Sequence, residues 1–319
     1  MQQPKPSLRV GLVAPKNNAE CRLWPLGYLR GISGSVYHRE RQYDLVFFLN
    51  LTAEITFLKR ATGCKTFVVG LEPRSMHPPN YDQALLDLAD RYMGYRNFST
   101  RPDPGFFEPF CPPVDFRDST RREFALSMGS TRDHDFCVFA RHDPNIRTEA
   151  GVIASRYRAL LAGPLFGNPV GPKLAFQRRC RFEIISENEI NDYYFSEKIG
   201  QALLAGCVPV YYGCRRIEDY IPEDLFVNMD RFVGATGGPD VEAVVKYCMT
   251  DGVYARHFQA IQAKAEQVLL RYTCEACLTD PVQRYIDQLI REGFRNSRQS
   301  WPWRWWRTKS RLKRVIGRR

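Results

Sequence analysis

Three short runs near the start of the chain, LRVGLVAP (8–15), YDLVFFLN (43–50) and KTFVVGLEP (65–73), are apolar at almost every position. A strand with one wet face alternates apolar and polar residues, whereas successive apolar positions imply cover on both faces, the situation of a parallel sheet flanked by helices. Parallel neighbours cannot be joined by a tight turn, so each pair requires a crossover. LTAEITFLKRATG provides one between the second and third runs, with apolar residues at helical spacing and a stop at Gly63. The chain is therefore expected to be α/β.

The rhythm breaks at RPDPGFFEPFCPPVDF (101–116), which has neither helical nor ladder pattern and reads as a linker. It resumes with the strand in HDFCVFARHDPN (134–145) and an amphipathic helix, RTEAGVIASRYRALLAG, ending at Gly163. FGNPVGPKLAFQRRC reads as loop and partial helix, followed by the strand RFEIISE, a polar loop, the helix EKIGQALLAG and the strand VPVYYG. Three helical patterns then run to the end, VEAVVKYCMTD, VYARHFQAIQAKAEQVLLRYT and DPVQRYIDQLIREGF. A length of 319 residues exceeds the usual single domain. The expected organisation is two Rossmann-like, doubly wound domains facing each other across a cleft, 1–120 and 121–296, with a tail at 297–319.

A hydrophobic share of 44% and a mean hydropathy of −0.39 fit a soluble globular chain. No window approaches the roughly 18 apolar residues of a membrane span, and the N-terminus lacks a signal-like run, so a cytoplasmic location is expected. The ten cysteines are scattered, several in strand-like runs, as expected of reduced and mostly buried thiols. Cys274 and Cys277 have no second pair and no nearby histidine, so no metal is expected there.

The net charge of +11 is concentrated at the C-terminus: residues 301–319 hold eight Lys or Arg, no acid and four of the five tryptophans, and the rest of the chain carries 11 − 8 = +3. Indoles settle at headgroup depth and cations gain about 1 kcal/mol each near an anionic surface. Stacking on nucleic acid uses the same side chains, and a solvated tail is the plain alternative. Peripheral membrane attachment through Trp301, Trp303, Arg304, Trp305, Trp306 and Arg307 is the favoured reading, with no nucleic acid expected.

Ligands of open α/β sheets bind beyond the carboxyl ends of the strands. Three such ends carry chemistry here: GLEP with Glu72, ARHDPNIR with Arg147, and SENEINDYYFSEK, from Glu187 to Lys198. Neither GxxxxGK[ST] nor a GxGxxG after a strand is present, so a nucleotide would be held by side chains and helix ends. Lys198 falls in the first turn of its helix, where the dipole disfavours a cation. It either pairs with Glu197, points to solvent, or meets a phosphate. Arg147, also at a helix start, would add a planar and bidentate donor pair.

The stretch CRFEIISENEINDYYFSEKIGQALLAGCVPVYYGCRRIEDYIPEDLFVNMDRF resembles the donor-binding signature of the alpha-1,3/4-fucosyltransferases. Glu187 and Asn188 match that family's Phe-Glu-Asn; Tyr194, Ser196, Glu197 and Lys198 match its Tyr-x-Thr-Glu-Lys. The match continues through Gly206, Val208, Pro209, Gly213, Pro222, Phe226, Asp230 and Phe232. Ser186 stands in place of the family's phenylalanine and Ser196 in place of threonine, and similarity thins outside this stretch. There, RHDPNIR resembles the family's phosphate-binding segment and maps to Arg147, while VVGLEPRSMHPPNY resembles its N-terminal glutamate segment and maps to Glu72.

The resemblance implies a GT-B architecture with an acceptor-binding N-terminal domain and a C-terminal domain for GDP-beta-L-fucose, transferred with inversion to a glycan acceptor. It implies Glu72 as the base, Arg147 and Lys198 as cations that stabilise the departing GDP without a metal, and Asn188, Tyr194 and Glu197 as donor-binding groups. A membrane-seeking tail on such an enzyme suggests surface polysaccharide or lipopolysaccharide synthesis. Two alternatives remain: a retaining GT-B transferase using another nucleotide sugar and the pair Glu189 and Glu197, and a non-catalytic nucleotide-sugar or nucleic-acid binding protein.

Overall fold

The computed structural model describes residues 8–13, 29–39, 41–103, 105–109, 118–143, 145–169, 171–273 and 275–294. The tail at 297–319, with Trp301, Trp303, Arg304, Trp305, Trp306 and Arg307, lies outside the described residues, as does Cys274. Two units divide the chain: residues 1–110 together with 278–319, and residues 111–277.

The first unit is built on six parallel strands. In chain order its elements are β1 (Leu8–Val13), β2 (Ile32–Val36), β3 (Leu45–Leu49), α1 (Glu54–Ala61), β4 (Lys65–Val69), α2 (Gln83–Leu86), β5 (Arg91–Gly94) and β6 (Phe107–Pro109). The sheet order is β2-β1-β3-β4-β5-β6, and every pairing is parallel. Period-2 geometry sorts the apolar runs onto two faces. Leu45, Phe47 and Leu49 of β3 join Phe67 and Val69 of β4 in one core, while Val46, Phe48 and Val68 join Ile55 and Leu58 of α1 in another.

The second unit contains α3 (Asp118–Met128), β7 (His134–Phe139), α4 (Arg147–Ala154), β8 (Ala159–Ala162), α5 (Lys173–Gln177), β9 (Cys180–Asn191), α6 (Lys198–Leu204), β10 (Val208–Cys214), β11 (Val227–Asn228), α7 (Val241–Cys248) and α8 (Val253–Arg271). Its sheet order is β11-β10-β9-β7-β8, all parallel. Because β7 pairs with β8 on one side and β9 on the other, the direction of winding reverses between β7 and β9. Such a reversal opens a crevice at the strand carboxyl ends. The described cysteines 64, 137, 180, 207, 214 and 248 are buried and free, and Cys277 is buried.

Several expectations require correction. The helix expected to run to Gly163 stops at Ala154, and ALLA instead forms the edge strand β8, with Phe136 opposite Ala159. The segment 101–116 contains β6, paired parallel to β5. The last described helix, α9 (Asp280–Arg291), belongs to the first unit, so the division falls at 110/111 and 277/278 rather than at 120/121 and 296/297. Packing explains the return: Leu278, Val282, Tyr285, Ile286 and Leu289 fill the face formed by Phe47, Phe67 and Val69. Each such burial contributes roughly 1.5–3 kcal/mol, so the set approaches the whole stability of a domain. A chain ending at Cys277 is expected to keep 111–277 folded and lose the first unit, seen as rapid limited proteolysis confined to residues before 110.

Candidate functional site

The crevice between β7 and β9 is assembled by an irregularity in β9. Ser186 lies opposite Tyr212 of β10 and Asn191 opposite Cys214, so β9 takes five residue steps where β10 takes two. The strand expected as RFEIISE runs on through Asn188–Asn191, residues expected as a loop, which thus form the bulged carboxyl end of the strand. A bulge re-aims side chains, and here it buries the Glu187 carboxylate completely. Gly213 makes the room. A Cβ at that position would stand 2.5 Å from Glu187 Cγ and 2.6 Å from the Tyr211 hydroxyl.

A buried carboxylate requires donors and a countercharge. Glu187 Oε1 accepts from the Ser196 backbone N–H at 2.8 Å, and both carboxylate oxygens accept from the Ser196 hydroxyl at 2.9 and 2.8 Å. Lys198 Nζ donates to Glu187 Oε2 at 2.5 Å and to Ser196 Oγ at 3.0 Å. Neither simple partner expected for Lys198 is found: its counter-ion is Glu187. An ammonium has three donors, so among the described residues one remains open to a ligand on a side chain that is 22% exposed.

Arg147 is 5% exposed. Its Nη1 donates to the His142 carbonyl at 2.9 Å, and its Nη2 donates to the Ser186 carbonyl at 2.6 Å and to Asn188 Oδ1 at 2.9 Å. Burial pulls its pKa below the usual arginine value, and the charges of Glu187 and Asp143 oppose that. Three of the five guanidinium N–H groups are engaged by these acceptors, which leaves two, on Nε and Nη1. The bidentate grip expected through both terminal nitrogens is closed while these bonds hold.

The start of α4 is likewise occupied. Asp143 accepts from the N–H groups of Asn145, Arg147 and Thr148 at 3.2, 2.8 and 2.8 Å. Its pKa is lowered: burial works to raise it, and the Thr148 hydroxyl with these N–H groups outweighs that effect. No side chain caps α6. Asn145 Nδ2 donates to the Glu187 carbonyl at 2.9 Å and closes the loop after β7 onto β9.

Of the residues expected in the donor site, Arg147 and Asn188 are hydrogen-bonded to each other, and Lys198 is tied to Glu187, the neighbour of Asn188. Tyr194 is 3% exposed, with its backbone N–H held by Asn191 Oδ1 at 2.7 Å. Glu197 is exposed at the N-cap of α6. Glu189, half-buried, accepts from Asn191 Nδ2 at 3.0 Å. Glu187 itself was assigned no role from sequence, although a signal existed: Lys198 is the first Lys or Arg after Arg181, and a carboxylate ending a buried strand needs one.

Glu72 is in the first unit, three residues past β4 and half-buried, with its backbone N–H donated to Asn50 Oδ1 at 3.2 Å. Among the described residues no group of three His, Cys, Asp or Glu side chains is arranged to hold a metal ion.

Residues 171–286 match the family model described as glycosyltransferase family 10 (fucosyltransferase), C-terminal part. Over that stretch the chain resembles the family. The mouse 4-galactosyl-N-acetylglucosaminide 3-alpha-L-fucosyltransferase 9 is 39% identical over 74 residues, 22% of this chain and 21% of the relative; the human protein is 38% identical over 74 residues, with the same shares of the two chains. The chain thus aligns with about a fifth of the length of these curated relatives. In fold, the chain is similar to a solved alpha1,3-fucosyltransferase, with a TM-score of 0.57 and 14% identity over 85% of this chain and 92% of the other. A structure of an alpha1,3-fucosyltransferase with GDP-fucose gives a TM-score of 0.55 and 14% identity, covering 84% and 92%. Anabaena HepE in complex with UDP-glucose gives 0.53 and 11% identity, covering 89% and 100%. The two parallel-sheet α/β units share the GT-B fold of these structures.

Proposed function

We propose that the protein transfers L-fucose from GDP-beta-L-fucose to a glycan hydroxyl, in alpha-1,3 or alpha-1,4 linkage and with inversion at the anomeric carbon. The family match over residues 171–286 supports this reading. The observation that carries it is the cluster at the reversal between β7 and β9, where Arg147, Asn188 and the Glu187-held Lys198 converge on the carboxyl ends of both strands. In the reaction the acceptor oxygen loses its proton to the Glu72 carboxylate and attacks the fucosyl carbon opposite GDP, whose C–O bond breaks with its electron pair leaving on the diphosphate. The remaining Lys198 N–H and the fixed charge of Arg147 offset the negative charge as it grows, a form of stabilisation that is largest where the donors are already in place. Asn188, Tyr194 and Glu197 are the remaining donor-site groups of this reading.

The test is a panel of GDP- and UDP-sugars with lactosamine acceptors, followed by anomeric assignment of the product by NMR. An alpha-L-fucoside from GDP-beta-L-fucose is expected. Retention of donor configuration would overturn the mechanism and favour the Glu189 and Glu197 pair, while absence of transfer with every sugar nucleotide would leave a binding protein.

The reading also places the enzyme on the cytoplasmic face of a membrane, held by its basic, tryptophan-rich tail and acting on a surface polysaccharide or lipopolysaccharide precursor. No described helix is long and apolar enough to cross a membrane. A chain ending at Gln299 is expected to bind phosphatidylserine-containing vesicles at least tenfold more weakly than the full chain in a sedimentation assay, with unchanged transfer to a soluble acceptor. Equal sedimentation of the two forms would overturn membrane attachment through the tail.

A further inference from the structure

Asn50, the residue directly after β3, has φ +67° and is the only residue other than glycine with a positive φ among those described. Such strain persists when the surroundings over-determine it, and it gathers where geometry is functional. Asn50 is 4% exposed. It follows one of the two strands, β1 and β3, between which the winding of the first sheet reverses.

Its side chain is directed at the segment after β4. Oδ1 accepts from the backbone N–H groups of Leu71 and Glu72 at 2.8 and 3.2 Å, and from Asn80 Nδ2 at 2.8 Å. Asn80, 1% exposed, also donates to the Glu72 carbonyl at 3.2 Å and accepts from the Leu51 N–H at 2.7 Å. The Tyr81 hydroxyl donates to that same Glu72 carbonyl at 3.3 Å, and the Tyr95 hydroxyl to the Leu71 carbonyl at 3.2 Å. Every backbone polar group of Leu71 and Glu72 therefore bonds to a side chain, and none of the five bonds is part of the sheet ladder. A strand end left to loop geometry does not require this. A cage of four side chains, two of them buried amides, fixes one carboxylate-bearing residue in place.

We infer that Asn50 is a positioning residue for Glu72, with Asn80 and Tyr81 completing the cage, so that its side-chain carbonyl sets the aim of the proton-accepting carboxylate. This rests on Glu72 acting as the base. Misplacement of a reacting group by about 1 Å costs on the order of a hundredfold in rate, so the cage acts on turnover rather than on donor binding.

Asn50→Gly separates aim from folding, because glycine adopts a positive φ without strain while removing the acceptor. Expected are a fall of roughly 10- to 100-fold in kcat, a KM for GDP-fucose within about threefold of wild type, and a circular-dichroism melt that stays cooperative at a lowered temperature, since three donors lose their acceptor. Asn50→Asp keeps an acceptor for all three donors and is expected to recover most of the lost kcat. Combined with Glu72→Gln, Asn50→Gly is expected to lower the residual rate no further, since a carboxylate that is absent needs no aiming.

Wild-type kcat in Asn50→Gly alongside a dead Glu72→Gln overturns the cage and leaves the base intact. So does an Asn50→Gly effect that multiplies with that of Glu72→Gln. A fully active Glu72→Gln overturns the base itself. Should Asn50→Gly not fold, Tyr81→Phe removes one hydroxyl from the Glu72 carbonyl and carries the same cycle, with an expected kcat fall of about threefold; an unchanged kcat there overturns the proposal.

Discussion

Lys198→Ala is expected to lower kcat/KM for GDP-fucose by roughly 10²–10³, the usual loss when one pre-placed donor to a growing negative charge is removed. The same substitution carries a second effect of different origin. Glu187 is fully buried and Lys198 supplies its countercharge, so the variant strands a buried anion. Breaking a buried pair in this way costs about 3–5 kcal/mol of stability. Activity and stability would thus fall together and be hard to tell apart in the single variant. Adding Glu187→Gln neutralises the stranded group while Ser196 still bonds to it, so thermal stability should return toward wild type as transfer stays low. A double variant with wild-type kcat/KM would show that Lys198 serves the fold and not the donor.

The second large effect is in the other unit. Glu72→Gln is expected to reduce kcat by about 10²–10⁴, the range supplied by a positioned general base, and to leave GDP affinity unchanged in calorimetric titration. The amide is nearly isosteric, and none of the bonds that hold the Leu71–Glu72 backbone involves the carboxylate, so no loss of folding is anticipated. A variant that still transfers at the wild-type rate would require another group to accept the proton.

Much of this arrangement is legible in the sequence, and the limits are physical. β1, β3, β4, β7, β9 and β10 declare themselves because both faces are covered and most of their core positions are apolar. β2 has only partly buried and exposed residues, Ile32–Val36, and lies at a sheet edge; with one flank open to water, no apolar run is imposed on it. β8 is four residues of Ala and Leu directly after a helix, a composition that suits either state, and only its pairing with β7 decides. β6 lies in a proline-rich stretch at the opposite edge of the first sheet, where a missing N–H is tolerated.

In the site, strand ends and resemblance located Arg147, Asn188 and Lys198. The Glu187 ion pair stayed hidden because it depends on a bulge, and a bulge is a register relation between two strands rather than a property of either. The occupation of Arg147 by carbonyls was equally out of reach, since two of its three acceptors are backbone oxygens whose direction no residue name encodes. The grouping of α9 was missed for a related reason. Its amphipathic pattern announces a helix that must be covered, but does not say by which sheet.

That grouping bears on how the chain comes to be folded during synthesis. Residues 111–277 are contiguous, whereas the first sheet's core needs Leu278, Val282, Tyr285, Ile286 and Leu289, made some 170 residues after its sixth strand ends at Pro109. As the polypeptide leaves the ribosome, the later unit can close around its own core while the earlier one still has an open apolar face. Order of completion is therefore the reverse of order of translation. The half-made first sheet, rich in parallel edges and Val, Phe and Leu, is the species on which a chaperone would act, and a nascent chain arrested before residue 278 would expose it.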